Sequence, residues 1–423
     1  MTFRPTVFQD GSAMTAEDVA FSLMRVAKPP KGQVSFYSQL VSYIAEARPH
    51  GADTIEISTS VPVSDDVFAR RLASPCMGVV PRRAVEAQGP EKFGAKPVGS
   101  GPYRFVSYTE NQGVEASRFP GYRGPSKGYF DSISWRILVD DAARQAALQA
   151  GQIDIAGSVP GRDAPRLTGR GFTVANAPTS GAVYLTFNCA KAPWSDPRVR
   201  QALHFAIDKD AITRVAYLGN AVAATSVLPD HHPDHVTPDP VYKLDPERAR
   251  TLLREAGVAG RALTLTVQQK GYMLETATIV RQNWQDVGLT VKVDNATGTV
   301  LANRILGGGD FDACISDGDP VGTSWDVPGA LASYWAPGTI RDKFLRWTDA
   351  TAQRFAKLLD GALGLPPEQV KPRYTELQQI LAESVPAYPL HYLGIANAMN
   401  PRTVAGLTPQ RWGFVDLRRA WHA

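Results

Sequence analysis

The chain is poor in the features that announce chemistry. Its 423 residues hold three cysteines, Cys76, Cys189 and Cys314, far apart and without a CxxC pair. Disulfide staples and zinc ribbons have no support, and an odd count leaves at least one thiol unpaired within the chain. Three small buried hydrophobes are the simplest reading of the thiols. No run approaches the ~20 continuous apolar residues of a membrane span. The first residues, Met1-Thr2-Phe3-Arg4-Pro5, set no apolar stretch behind their basic residue, so they do not read as a signal peptide. Charge of one sign is also missing: Lys plus Arg is 45 and Asp plus Glu is 41. A nucleic-acid surface is therefore not legible from charge. Catalytic signatures are absent as well, with no GxSxG elbow and no HExxH. The acids are scattered, and spacing nominates no acid–base pair. The histidines cluster only at His231, His232 and His235, inside a proline-broken stretch that reads as a solvated loop.

What is present is enough for packed cores. Hydrophobic residues make up 43% and charged residues 20%, which excludes wholesale disorder. The length suggests two or three domains. There are 36 Gly and 32 Pro, which fits many turns and short connections. Helix starts are punctuated clearly. Thr15 precedes Glu17 and Asp18, and Val19, Leu23 and Val26 follow at helical spacing. Asp196-Pro197 and Asp245-Pro246 each place a capping acid before a proline at the first helical position. Gly257 falls where a left-handed helix end is expected.

Short apolar runs alternate with these helices, at residues 153–155, 183–187, 263–267, 289–293 and 311–315. Residues 263–293 read as strand, helix, Gly288, strand. Such βαβ units build mostly parallel sheets, so the class is α/β with more than one sheet. Gly307-Gly308-Gly309 follows a helix and precedes a strand, the reverse of a phosphate loop, and reads as a tight connection.

Five segments, in order, resemble a known family. They are Val7-Phe8-Gln9-Asp10-Gly11 continuing to Val19, Pro97-Val98-Gly99-Ser100-Gly101-Pro102-Tyr103, and residues 141–156. The fourth runs from Tyr184-Leu185-Thr186-Phe187-Asn188 to Leu203, and the fifth is Asp245-Pro246-Glu247-Arg248-Ala249-Arg250. Together they are similar to the extracellular solute-binding proteins of the peptide/nickel type, family 5, the receptors of ABC importers. Most of these residues cap helices, turn the chain or face a core, so they speak to fold more than to ligand.

The resemblance implies a two-lobe periplasmic-binding-protein fold of type II with an extra subdomain. The expected division is 1–96 as part of a small subdomain, 97–188 as the first part of lobe I, 189–388 as lobe II, and 389–423 as the return to lobe I. The chain would cross near residues 184–188 and 388–392, giving a hinge. Family members begin several tens of residues upstream of the first segment. The implied chain is thus short of a signal peptide and early strands, with its N-terminal lobe incomplete.

The resemblance also implies a function. It is solute binding without turnover, by a monomer in the periplasm or outside the cell. A peptide or other small solute would be the ligand and a membrane-embedded ABC permease the partner. No cofactor, metal or nucleic acid is expected. A hydrolase with a spatially assembled acid site and an inactive truncated homologue are the alternatives. In peptide-binding members an Asp after the matching strand holds the ligand's ammonium. Asp317 is the better match and Asp319, in an Asp-Pro step, the runner-up, with loop capping as the competing role for both. Where dipeptide binders carry an Arg, this sequence has Lys270, which offers a point charge instead of a fork. A solvated loop lysine is the competing reading. Trp325 is the aromatic candidate for the pocket, with core packing as the alternative, and Tyr334-Trp335 follow it. Trp412 reads as a core residue.

Overall fold

The computed structural model describes residues 1–29, 37–126, 128–308, 311–339, 341–409, 415–417 and 420–423. Trp412 lies outside them. The chain forms two compact units. Unit 1 takes Met1–Pro62, Phe68–Ala177 and Ile395–Ala423, and unit 2 takes Val63–Val67 and Pro178–Gly394.

In unit 1 the helix Ala16–Ala27 opens with the expected cap. The Thr15 hydroxyl accepts from the Asp18 amide at 3.3 Å, and the Asp18 carboxylate accepts from the Thr15 amide at 2.8 Å. Strands β1 (Ile44–Pro49) and β2 (Ile55–Thr59) pair antiparallel. A meander follows, of β3 (Tyr103–Thr109), β4 (Gly113–Arg118) and β5 (Ser132–Arg136). The helix Asp141–Gln149 leads to β6 (Ile155–Val159), which starts at the last residue of the apolar run expected there. Leu148, Ala156, Val159 and Leu167 bury a small core.

β7 (Thr173–Phe187) begins in unit 1 and ends in unit 2. Unit 2 then adds β8 (Ala221–Ala223), β9 (Ala262–Gln268), β10 (Thr290–Ala296), β11 (Ala313–Gly318) and β12 (Ala387–Met399). The sheet order is β10-β9-β11-β7-β12, with β8 also on β12. β9 and β10 are parallel across the helix Gly271–Asp286, the βαβ unit the sequence announces. β11 runs parallel to β9 but antiparallel to β7, so this sheet is mixed rather than mostly parallel. The last residues of β12 return to unit 1, where Ala398 pairs with Ala156 of β6.

Unit 2 holds the larger core, built on Tyr184, Leu185, Phe187, Trp284, Phe355 and Leu381, all buried. Two of its helices carry the expected proline starts. The Asp196 carboxylate accepts from the Arg198 amide before Pro197–Phe205, and Asp245 accepts from the Arg248 amide before Pro246–Glu255. Gly257 has φ +69°, as its place after a helix requires.

Candidate functional site

The C-terminal ends of β9 and β11 lie side by side in unit 2, because Ile315 is in register with Val267. Strand ends of this kind are where ligands meet open α/β sheets. β11 extends through Gly318, so Asp317 is the penultimate residue of a strand and not part of the loop after it. Pairing with Val183 of β7 holds it there. The Asp317 amide donates to Gln268 Oε1 at 3.5 Å. Its carboxylate forms an ion pair with the Lys270 ammonium and accepts from the Tyr272 hydroxyl at 3.5 Å. The side chains of Lys270 and Asp317 are 41% and 31% exposed, so the pair is open to solvent. Burial pushes the Tyr272 hydroxyl well above its ordinary value, with the negative charge of Asp317 adding to the shift.

Asp319 sits deeper. Its carboxylate accepts from the Gly322 amide at 2.5 Å and caps the short helix Pro320–Thr323. Burial raises this carboxyl, against hydrogen bonds from Ser180 and Gly322 that lower it. Loop capping is thus the geometry seen at Asp319. Trp325 is half-buried, its ring 4.7 Å from that of His232 and 6.0 Å from that of His231. The Trp325 carbonyl can only accept, so His232 Nε2 donates to it at 3.2 Å. His232 Nδ1 accepts from the Asp234 amide at 3.1 Å, which fixes the neutral tautomer. The histidine stretch expected to be solvated is therefore partly internal. It packs against Trp325, and His232 is only 3% exposed.

The four expected residues do not converge equally. Lys270 and Asp317 touch each other, Asp319 is turned into its helix cap, and Trp325 packs against the histidines. A further cation went unseen in the sequence. The Arg341 guanidinium lies 4.3 Å from the Tyr334 ring centroid, and its Nη2 donates to the Asp317 carbonyl at 3.4 Å. Tyr334 in turn packs 4.5 Å from Tyr184. The signal available was Arg341 a few residues after Tyr334-Trp335, but no period links a loop arginine to a strand end. Among the described residues, no group of three or more His, Cys, Asp or Glu could hold a metal ion, and no helix is long and apolar enough to cross a membrane.

The mixed α/β architecture is that of periplasmic binding proteins. DppA from Helicobacter pylori, solved in complex with the peptide STSA, superimposes with a TM-score of 0.82 at 18% identity, covering 100% of this chain and 85% of that one. At that identity the likeness concerns the fold alone. A family model for bacterial extracellular solute-binding proteins, family 5 (middle), matches residues 1–342, and the chain belongs to that family. The glutathione-binding protein GsiB of Pectobacterium atrosepticum is 35% identical over 251 residues, which is 59% of this chain and 48% of that protein. GsiB of Salmonella choleraesuis is 27% identical over 400 residues, covering 92% of this chain and 76% of its own length. The chain thus spans about half the length of the first of these relatives.

Proposed function

We propose that this chain is the solute-binding component of an ABC importer, holding a small zwitterionic solute of the peptide class without chemical turnover. In this reading the protein works as a monomer outside the cytoplasmic membrane and hands its solute to a membrane-embedded permease. Membership of the solute-binding family supports the class, and the glutathione-binding relatives point toward peptide-like solutes. The observation that carries the reading is the Lys270–Asp317 pair at the ends of β9 and β11. An ion pair this open to water stabilises a fold by about 0–1 kcal/mol. It is cheap to exchange, so a solute ammonium can take the Asp317 carboxylate and release Lys270. Tyr272 steadies the carboxylate in either state.

Calorimetric titration with dipeptides, tripeptides and glutathione tests this. Asp317→Asn keeps shape and removes charge, and is expected to weaken binding by about 2–5 kcal/mol, or roughly 30-fold to several thousand-fold. Asp319→Asn should change affinity far less and leave stability nearly unchanged, because its amide oxygen can still accept from the Gly322 amide, whereas Asp319→Ala should cost about 1 kcal/mol of stability, the typical worth of a helix cap. Equal affinity for wild type and Asp317→Asn would remove Asp317 from the site. Recovery of the solute in altered form would sink binding without turnover.

A further inference from the structure

The cation already paired with Asp317 is Lys270, whereas Arg341 has no acidic partner among the described residues. Arg341 offers five N–H donors and uses one, to a backbone carbonyl at 3.4 Å. The acids around it are engaged elsewhere. Asp317 binds Lys270, Asp319 accepts from the Gly322 amide, and Asp342 accepts from the Gly338 amide at 3.0 Å. Arg341 is half-buried, and its guanidinium carbon lies 4.3 Å from the centroid of the Tyr334 ring and 5.2 Å from that of Phe344. Its planar fork keeps N–H donors for recognition of an anion. Behind it the hydroxyls of Tyr334 and Tyr184 are buried without a hydrogen-bond partner among the described residues. A half-buried, positioned and unpaired arginine beside a strand-end carboxylate is an anion seat by its chemistry.

We propose that Arg341, rather than Lys270, receives a carboxylate of the solute through these N–H donors, while Asp317 holds the ammonium. The identity of the ligand rests on the peptide-class reading above, but the seat itself can be tested apart from it. A free carboxylate presents two oxygens to the fork, and a C-terminal amide presents only one acceptor and no charge. The seat therefore makes this protein discriminate free-acid peptides from amidated ones.

The experiment compares wild type, Arg341→Gln, Arg341→Lys and Lys270→Gln, each checked for an unchanged unfolding midpoint. The probes are a dipeptide such as Ala-Phe and its C-terminal amide, with glutarate in a parallel thermal-shift assay. Arg341→Gln is expected to lose about 30-fold or more in affinity for the free acid and to bind acid and amide alike. Arg341→Lys should recover part of the preference, and Lys270→Gln should keep it. If Lys270→Gln abolishes the preference while Arg341→Gln retains it, the seat is overturned and the peptide reading stands. If no peptide binds wild type, the peptide reading falls and glutarate decides. Stabilisation of wild type that is lost in Arg341→Gln upholds the seat. An equal shift in both proteins, or none, overturns it.

Discussion

Gly318 shows how tightly one position can be drawn at this strand end. A Cβ built there would fall 1.7 Å from the Tyr334 hydroxyl, so the ring reaches the backbone only because no side chain stands in the way. Gly318→Ala must push Tyr334 against Tyr184, which packs it from 4.5 Å. Overpacking of that kind costs about 1–3 kcal/mol, measurable as a lower urea midpoint. The displaced ring would also unseat the Arg341 guanidinium, so solute affinity should fall in the same variant. At this scale the sequence is legible only where the partner is near. Asp319 could be read as a cap because Gly322 is three residues away. The Lys270–Asp317 pair spans 47 residues and depends on strand register, which no local pattern encodes. His232 against Trp325 spans 93 and was equally invisible.

Among the elements, the helix Pro197–Phe205 is anchored by a residue its apolar pattern does not explain. Arg200 is completely buried. Its Nη1 donates to the carbonyls of Trp194 at 2.6 Å and Ser195 at 3.1 Å, and its Nε donates to that of Ser384 at 2.8 Å. Ser384 closes the helix Pro367–Ser384, whose last carbonyls have no partners of their own within the helix. The cation thus satisfies a helix C-terminus and complements its dipole. Arg200→Ala would leave the buried carbonyls of Trp194 and Ser384 without this donor at about 1–3 kcal/mol each, partly relieved by repacking. We expect a net loss of about 3–4 kcal/mol in chemical unfolding, with Arg200→Lys recovering less than half. Helix starts were readable because Thr15, Asp196 and Asp245 act on amides two or three residues away. Strands were found by apolarity and their ends missed. β11 carries the polar residues Ser316 and Asp317 past the apolar run, because pairing with β7 continues to Gly318. The sheet's mixed direction was hidden for the same reason, since apolar runs carry no sign.

Across the whole molecule, buried bases tie stability to pH. Burial lowers the Lys209 ammonium to about 7, and its Nζ donates to the Ala224 carbonyl at 2.8 Å. Burial likewise lowers His391 to about 4, with a carbonyl bond from Lys209 opposing it, and His204 is depressed in the same sense. Between the folded and unfolded values the unfolded chain holds the extra proton, so raising pH favours the fold. The Lys209 contribution should therefore grow as pH rises from 7 toward 10.5. The His391 contribution is full above 6.5 and is lost as pH falls toward 4. Between pH 7 and about 9.5 wild type should gain stability relative to Lys209→Met in denaturant titrations, because the buried thiols of Cys189 and Cys314, raised by burial, lower both profiles alike there. Parallel profiles for wild type and Lys209→Met would refute the role of Lys209.

The division of the chain also sets an order of events during synthesis. Unit 2 is supplied by one long stretch, Pro178–Gly394, with Val63–Val67 joining where the Ser64 amide meets the Leu363 carbonyl at 2.8 Å. Unit 1 is interrupted: β6 waits for Ala398 and Met399, and Phe130 waits for Val404 and Ala420. A growing chain therefore has every segment of unit 2 in hand once Gly394 has left the ribosome. The segments of unit 1 that precede Pro178 remain without these partners until residues 395–423 follow, with the apolar surface they will share still uncovered. A stop codon after Gly394 would spare the segments that carry Asp317 and Arg341 and deprive unit 1 of its closing strand.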